Sequence, residues 1–141
     1  MLTLYFTAFA VAFALNLVWE NAHMPLYKNF NGDSSSLSRF LRSLYDSFMD
    51  GITILSLYAA LALVLHLRLT WPFEANTFQH ALLAVVSGVV ATAIERRALK
   101  TGRWQYTDRM PIVPYLRIGL SPLAQMMLLP SLVAIITSWI V

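Results

Sequence analysis

The sequence predicts an all-α integral membrane protein: a bundle of four transmembrane helices with an amphipathic interfacial helix between the first two. Three observations support this fold class. The chain is 58% hydrophobic, only 12% of it is charged, and its mean hydropathy is +0.62. Soluble domains are about 45–50% apolar and about 25% charged. The apolar residues form four stretches, each close to the roughly 20 helical residues that cross a hydrocarbon layer of about 30 Å. We expect one membrane domain, residues 1–141, with spans at about 2–20, 50–67, 78–95 and 118–141.

Between the first two spans, a turn-rich loop is followed by an amphipathic segment. The loop, residues 24–36, contains Pro25 and the turn signal Asn31-Gly32-Asp33. In the segment at about 36–48, the apolar residues recur at helical spacing and polar residues fill the other face. The apolar positions are Leu37, Phe40, Leu41, Leu44 and Phe48. We interpret this segment as a helix in the membrane interface, which either anchors the loop or covers a cavity.

Two further features of the sequence argue against a cleaved signal segment and against cysteine-based sites. The first residues, Met1 to Tyr5, lack the basic region of a secretory signal, so we expect the first apolar segment to be retained as a helix. The chain contains no cysteine, which excludes a disulfide framework and a thiolate metal site.

The distribution of basic residues predicts the orientation. Nine of the ten Lys and Arg residues lie in the first and third connections, and only Arg68 lies in the second. The positive-inside rule assigns the basic side to the cytoplasm, which places both termini outside. The net charge of +3 therefore indicates topology. A membrane surface attracts these arginines, so we expect membrane lipids as partners and no nucleic acid.

Polar residues near the cytoplasmic ends of all four spans indicate where a site lies. Ionisable groups at membrane depth are energetically costly, so they usually face a cavity or a partner. The first three spans contribute Asn16, Glu20, His23, Asp50, Thr53, Thr92 and Glu95. The fourth contributes Arg117, Ser121 and Gln125, which share a helix face. The sequence therefore predicts one polar site built by four helices.

Simpler interpretations of these residues remain open. Glu20 and His23 form a Glu-x-x-His pair, but carboxylate metal sites need two such pairs, so no metal is predicted. Glu20 alternatively reaches the interface beside a solvated His23. Asp50 alternatively caps the second helix. Glu95 alternatively pairs with Arg96 or Arg97.

Two further histidines, His66 and His80, lie near the opposite, outer side. Both sit at predicted span ends beside polar residues, so we interpret them as solvated interfacial histidines. A bis-histidine haem site is the alternative, and the sequence itself identifies no cofactor.

Several motifs resemble a family of small four-helix bacterial integral membrane proteins of uncharacterised activity. They are Trp19–Tyr27 (WENAHMPLY), Glu95-Arg96, Thr101–Tyr106 (TGRWQY), Met110-Pro111 and Gly119–Gln125 (GLSPLAQ). The resemblance covers most of the chain and implies a multi-pass protein of the bacterial inner membrane. In that family the position of His23 is often glutamine, which implies that His23 is not an obligatory metal ligand.

A looser similarity links the chain to the membrane-embedded carotenoid and terpenoid cyclases. Those enzymes combine a Trp-x-Tyr segment and a proline-started helix with intramembrane carboxylates, and Trp104-Gln105-Tyr106 and Ser121-Pro122 match that layout. The paired glutamates that follow the proline in carotenoid cyclases are replaced here by Leu123-Ala124-Gln125. The similarity implies an isoprenoid or lipid substrate.

Three functions are compatible with the sequence. The first is an acid/base enzyme acting on a lipid or isoprenoid, with Glu20 and Glu95 as the catalytic pair. Its predicted substrate-binding residues are Asn16, His23, Asp50, Trp104, Tyr106, Arg117, Ser121 and Gln125. The second is a non-catalytic membrane subunit or scaffold, and the third is a proton- or ion-coupled carrier. A homo-oligomer is compatible with all three, because four short helices enclose little volume.

Overall fold

The computed structural model of the chain describes residues 1–28 and 35–141. The predicted Asn31-Gly32-Asp33 turn lies outside the described residues. Four long helices dominate the described part: α1 (Leu2–His23), α2 (Ser36–Val64), α3 (Thr77–Lys100) and α4 (Leu120–Ile140). All four are long and apolar enough to cross a membrane. The prediction of an all-helical chain with four such helices is confirmed.

Short elements connect the long helices. One turn of 3-10 helix, Met24–Leu26, follows α1, and a second, Trp71–Glu74, precedes α3. Strands β1 (Ile112–Val113) and β2 (Ile118–Gly119) form a small antiparallel hairpin that leads directly into α4.

The prediction of a separate interfacial helix at about 36–48 is wrong. That segment and the second span form one continuous helix of 29 residues. No proline and no positive backbone φ angle occurs between Ser36 and Asp50, so nothing in the backbone turns the chain from the membrane plane into the bilayer. Ser35 caps this helix by accepting a hydrogen bond from the amide of Ser38 at 3.2 Å, so Asp50 is not the cap.

Helix α2 is therefore longer than a span requires. At 1.5 Å per residue it measures about 43 Å, against about 30 Å of hydrocarbon. The amphipathic residues form its first turns, and their buried positions, Ser43 and Ser47, face into the bundle. Asn21 of α1 donates a hydrogen bond to Ser43 Oγ at 2.8 Å, which fixes this part of α2 against the end of α1.

The helices pack mainly as three pairs. Helix α1 contacts both α2 and α4, and α3 contacts α4. An apolar cluster fills the half of the bundle nearer the 3-10 turn at Trp71, and it includes Ala12, Ile54, Leu83 and Val133, which are at most 2% exposed. In a bundle of spanning helices, close packing of such side chains and interhelical hydrogen bonds hold the helices together, because lipid is as apolar as the core.

The chain that follows α3 folds back over the end of α1. Tyr27 and Tyr106 form an antiparallel bridge, and the amide of Lys28 donates to the carbonyl oxygen of Gln105 at 2.9 Å. The amide of Thr107 donates to the carbonyl oxygen of Leu26, also at 2.9 Å. This pairing holds the Trp104–Tyr106 segment at the end of the bundle that carries most of the polar residues.

Candidate functional site

The side-chain amide of Gln125 connects three helices. Gln125 lies near the start of α4 and is 3% exposed. Its Nε2 atom lies 2.9 Å from Asn16 Oδ1, 3.0 Å from Glu20 Oε1 and 2.9 Å from Asp50 Oδ2. An amide nitrogen carries two hydrogens, so it cannot donate a full hydrogen bond to each of three oxygens.

Glu20 and Asp50 also form a hydrogen bond with each other, and this bond requires a proton on one of the two carboxyl groups. The two carboxyl groups contact each other as well as the Gln125 amide. Two carboxylates without a proton repel, whereas a carboxyl and a carboxylate form a strong hydrogen bond. The pair therefore holds at least one proton.

His23 extends this network towards α4. Its Nε2 lies 3.1 Å from Glu20 Oε2, and its Nδ1 lies 2.9 Å from Ser121 Oγ. Trp19 also reaches Ser121, with the indole Nε1 at 3.3 Å from Oγ. The His23 side chain is 7% exposed and that of Glu20 is 13% exposed, so their contact is largely shielded from water.

Glu95 lies in a different environment from Glu20. The indole Nε1 of Trp104 donates to Glu95 Oε2 at 3.2 Å, and the hydroxyl of Tyr106 donates to the same oxygen. The alternative, an ion pair of Glu95 with Arg96 or Arg97, does not form, and Arg96 instead donates from Nε to the carbonyl oxygen of Leu116 at 3.0 Å. Glu95 therefore receives hydrogen bonds from two neutral donors.

Aromatic rings cover the polar groups at this end of the bundle. Tyr27 is 6% exposed and packs edge-on against His23, Trp104 and Tyr106, with ring centroids 5.2, 6.3 and 5.4 Å apart. Burial raises the pKa of the Tyr27 phenol, and the neighbouring Glu95 carboxylate raises it further. Burial also raises the pKa of Tyr106, and its hydrogen bond to Glu95 adds to the effect. Both phenols therefore remain protonated donors at neutral pH.

A cavity of about 270 Å³ connects these groups. It lies between α2 and α3, the helix faces that the main packing pairs leave apart. Its polar wall contains Glu20, His23, Asp46, Asp50, Glu95 and Gln125. Apolar and aromatic side chains line the rest, including Tyr27, Tyr45, Met49, Ile94, Trp104 and Met126.

The structure brings together all but one of the predicted catalytic and substrate-binding residues. Glu20, His23, Asp50, Glu95, Trp104 and Gln125 line the cavity, while Asn16, Tyr106 and Ser121 contact residues that do. Arg117 is the exception. It lies exposed in the turn of the β1–β2 hairpin with a φ of 54°, because its segment forms the hairpin instead of the first turn of α4.

Two arginines that were not predicted line the cavity instead. Arg42 lies on α2 with its Nε 3.4 Å from Asp46 Oδ2, and Arg103 stacks over the Trp104 ring at 5.2 Å. Arg42, Asp46, Asp50 and Thr53 repeat every three or four residues, so a continuous helix would have placed Arg42 on the site face. The predicted helix boundary before Asp50 separated Arg42 from Asp50 and Thr53, so Arg42 was not assigned to the site.

The described residues do not form a metal centre. Across residues 1–28 and 35–141, no group of three or more His, Asp and Glu side chains is arranged to hold a metal ion. Of the two histidines at the other end of the bundle, His66 is exposed, and His80 Nδ1 lies 3.2 Å from Ser131 Oγ.

Comparison of the chain with protein-family models, with curated proteins and with solved structures finds no match. The resemblances noted from the motifs therefore stay predictions.

Proposed function

We propose that this protein binds a lipid or isoprenoid in the cavity between α2 and α3 and acts on it by acid/base catalysis. The observation that carries the proposal is the cavity itself. One cavity of about 270 Å³ has a hydrogen-bonded carboxyl pair on one wall and a carboxylate held by two neutral donors on another. Titratable groups whose surroundings differ in this way are the usual basis for assigning an acid and a base.

The rim of the cavity supports entry from the bilayer. Tyr45 and Met49 of α2 and Ile94 of α3 line the cavity and are 56%, 41% and 45% exposed. They form an apolar opening between two helices that are both long enough to span. A hydrocarbon chain would pass this opening without leaving an apolar environment.

The size of the cavity limits how much of a ligand it holds. Pockets that enclose a whole drug-sized ligand measure about 300–1,000 Å³. A volume of about 270 Å³ therefore fits one end of a long lipid or isoprenoid, while the rest of the chain stays between α2 and α3 or in the bilayer.

The two walls suggest separate roles. The Glu20–Asp50 pair already holds a proton and serves as the general acid. Trp104 and Tyr106 donate hydrogen bonds that hold Glu95 in place at the other wall, so Glu95 serves as the general base. A proton added to the substrate at one wall and removed at the other would isomerise or cyclise an unsaturated chain.

The alternative functions receive less support from the site. In the described part of the chain the ion pairs are His23–Glu20 and Arg42–Asp46, so neither Glu20 nor Glu95 is held by an arginine as a purely structural role would require. A carrier would need a polar path to the outer side, but the apolar cluster around Ile54, Leu83 and Val133 fills that half of the bundle. A homo-oligomer remains compatible with the enzyme.

The location is part of the same proposal. The basic residues of both polar connections lie at the end of the bundle that holds the cavity, which supports a cytoplasmic position for this end and an outer position for both termini. The resemblance to small bacterial membrane proteins supports the inner membrane.

The first test is native mass spectrometry of the protein extracted gently from its own membrane, with identification of any bound molecule. We expect a retained lipid or isoprenoid that is lost or reduced in Glu20→Gln and Glu95→Gln. Glu74→Gln is the matched control, because Glu74 is an exposed glutamate at the other end of the bundle. An empty protein, or retention that ignores the site variants, would contradict the proposal.

Acid/base chemistry has a separate readout. The identified ligand is added in excess to each protein in D₂O, and the mass of the recovered ligand is measured by mass spectrometry. We expect deuterium on carbon from the wild type and none from Glu95→Gln. A ligand that binds without carbon-bound deuterium in any sample would support a binding protein and overturn the catalytic role.

A further inference from the structure

One chain of hydrogen bonds at the site joins Glu20 to two residues, His23 and Ser121, that the acid/base mechanism does not use. It runs from Ser121 Oγ to His23 Nδ1 over 2.9 Å and from His23 Nε2 to Glu20 Oε2 over 3.1 Å. The Ser121 hydroxyl and the Glu20 carboxylate are thus hydrogen-bonded to the two different nitrogens of the His23 ring. A hydroxyl, an imidazole and an orienting carboxylate within these distances are the parts that activate a nucleophilic serine.

Trp19 determines the direction of the protons in this chain. An indole N–H is a donor only, so the Trp19 contact at 3.3 Å requires Ser121 Oγ to accept. The Ser121 hydroxyl then directs its own proton towards His23 Nδ1. That assignment places the ring proton of a neutral His23 on Nε2, where it is donated to Glu20. Each of these groups has a partner, and His23 is left in the tautomer that accepts the serine proton.

We propose that Ser121 is a nucleophile that hydrolyses a carboxylic ester of a membrane lipid. Its Oγ attacks the ester carbonyl carbon while His23 Nδ1 takes the hydroxyl proton. The carbon–oxygen bond to the alcohol then breaks, and the alcohol leaves with that proton. Water attacks the acyl-serine in the same way and releases the fatty acid. Glu20 orients the imidazole and stabilises its charged form.

The position of Ser121 beside Trp19 supports an ester of a membrane lipid as the substrate. Ser121 is half-buried in the first turn of α4, beside Trp19 near the end of α1. Tryptophans are enriched at the level of the lipid headgroups, which is the depth of the ester bonds of membrane lipids. The Trp19 N–H, already directed at Ser121 Oγ, is the donor placed to stabilise the oxyanion that forms next to it.

The test uses the full chain in lipid nanodiscs and an alkyl fluorophosphonate, a probe for activated serines. Attack forms an Oγ–phosphorus bond and releases fluoride. We expect wild-type protein to be labelled at Ser121, as located by peptide mass spectrometry. Labelling should disappear in Ser121→Ala and slow by at least about 100-fold in His23→Gln, since the members of such a triad act together. Trp19→Phe keeps a ring but removes the donor, and should slow labelling by about 10- to 100-fold.

Ser131 provides an internal control in the same helix. Its Oγ lies 3.2 Å from His80 Nδ1, but among the described residues no carboxylate is hydrogen-bonded to His80. Ser131 should therefore stay unlabelled, and Ser131→Ala should label like the wild type. Wild-type protein that binds no probe, or that labels both serines equally, would overturn the proposal without relying on any variant. Neither result depends on Glu95, so failure here is distinguishable from failure of the acid/base function.

Discussion

The side-chain amide of Gln125 in α4 lies 2.9 Å from the carboxylate of Asp50 in α2, although the two residues are 75 positions apart in the chain. The same nitrogen also contacts Asn16 and Glu20 in α1. One amide thus joins three helices at the bottom of the cavity. Because buried polar groups need partners, this contact fixes both the packing of the bundle and the position of the Glu20–Asp50 carboxyl pair.

Replacing Gln125 with leucine tests how much that amide contributes to the stability of the fold. Gln125→Leu keeps a side chain of similar size but leaves three acceptor oxygens without their common donor. We expect the free energy of unfolding to fall by about 1–3 kcal/mol. Reversible unfolding in mixed detergent micelles measures it. Ser138→Ala, at an exposed position of the same helix, should change it by less than about 0.5 kcal/mol. Equal effects of the two variants would show that the amide contacts contribute nothing.

Gly51 controls how closely α1 approaches α2 next to Asp50. A Cβ atom at this position would lie 3.0 Å from Phe9 Cε2, closer than ordinary packing. Gly51→Val should push the helices apart and destabilise the protein by about 1–3 kcal/mol. It should also weaken ligand retention, because Asp50 would move relative to Glu20. The matched control is Ala60→Val at an exposed position of α2. Unchanged stability and retention in Gly51→Val would contradict close packing here.

The raised pKa values of Tyr27 and Tyr106 predict instability at high pH. Unfolded tyrosines titrate near pH 10, whereas these two stay protonated in the folded protein at that pH. Above about pH 10 the unfolded chain therefore releases protons that the folded chain retains, and rising pH favours unfolding. Their contribution to stability is complete below pH 10 and decreases above it.

Unfolding measured from pH 8 to 11.5 checks this prediction. Tyr106→Phe should lower the stability at pH 8 but flatten its decrease above pH 10. Tyr115→Phe is the control, because Tyr115 is 94% exposed, and its profile should match the wild type. An identical alkaline slope in all three proteins would show that Tyr106 titrates normally.

The absence of cysteine makes the proposed orientation directly measurable. Single cysteines replace Glu74 and Asp108, two exposed acidic residues at opposite ends of the bundle. In intact cells, a membrane-impermeant thiol reagent should label Glu74→Cys within minutes and label Asp108→Cys only after the membrane is opened. The reverse pattern would invert the topology and place the cavity on the outer side.

The sequence alone was sufficient to predict the helical class, the four apolar helices and many of the polar residues that meet at the candidate site. These properties follow from local composition and from the energetic cost of polar groups among apolar helices, which confines Glu20, Asp50, Glu95 and Gln125 to protected faces. The clustering of polar residues at one end of each helix made their proximity predictable before any contact was known.

Only the tertiary structure decided which of these groups touch. Glu20 contacts Asp50 and His23 instead of Glu95, and Glu95 binds Trp104 and Tyr106 because the chain after α3 pairs with the segment after α1. Likewise, the continuity of α2 and the hairpin that removes Arg117 from the site depend on packing between distant segments. Helical periodicity fixes the face on which a side chain lies, but the partner across that face is set by how whole helices pack, which no local pattern encodes.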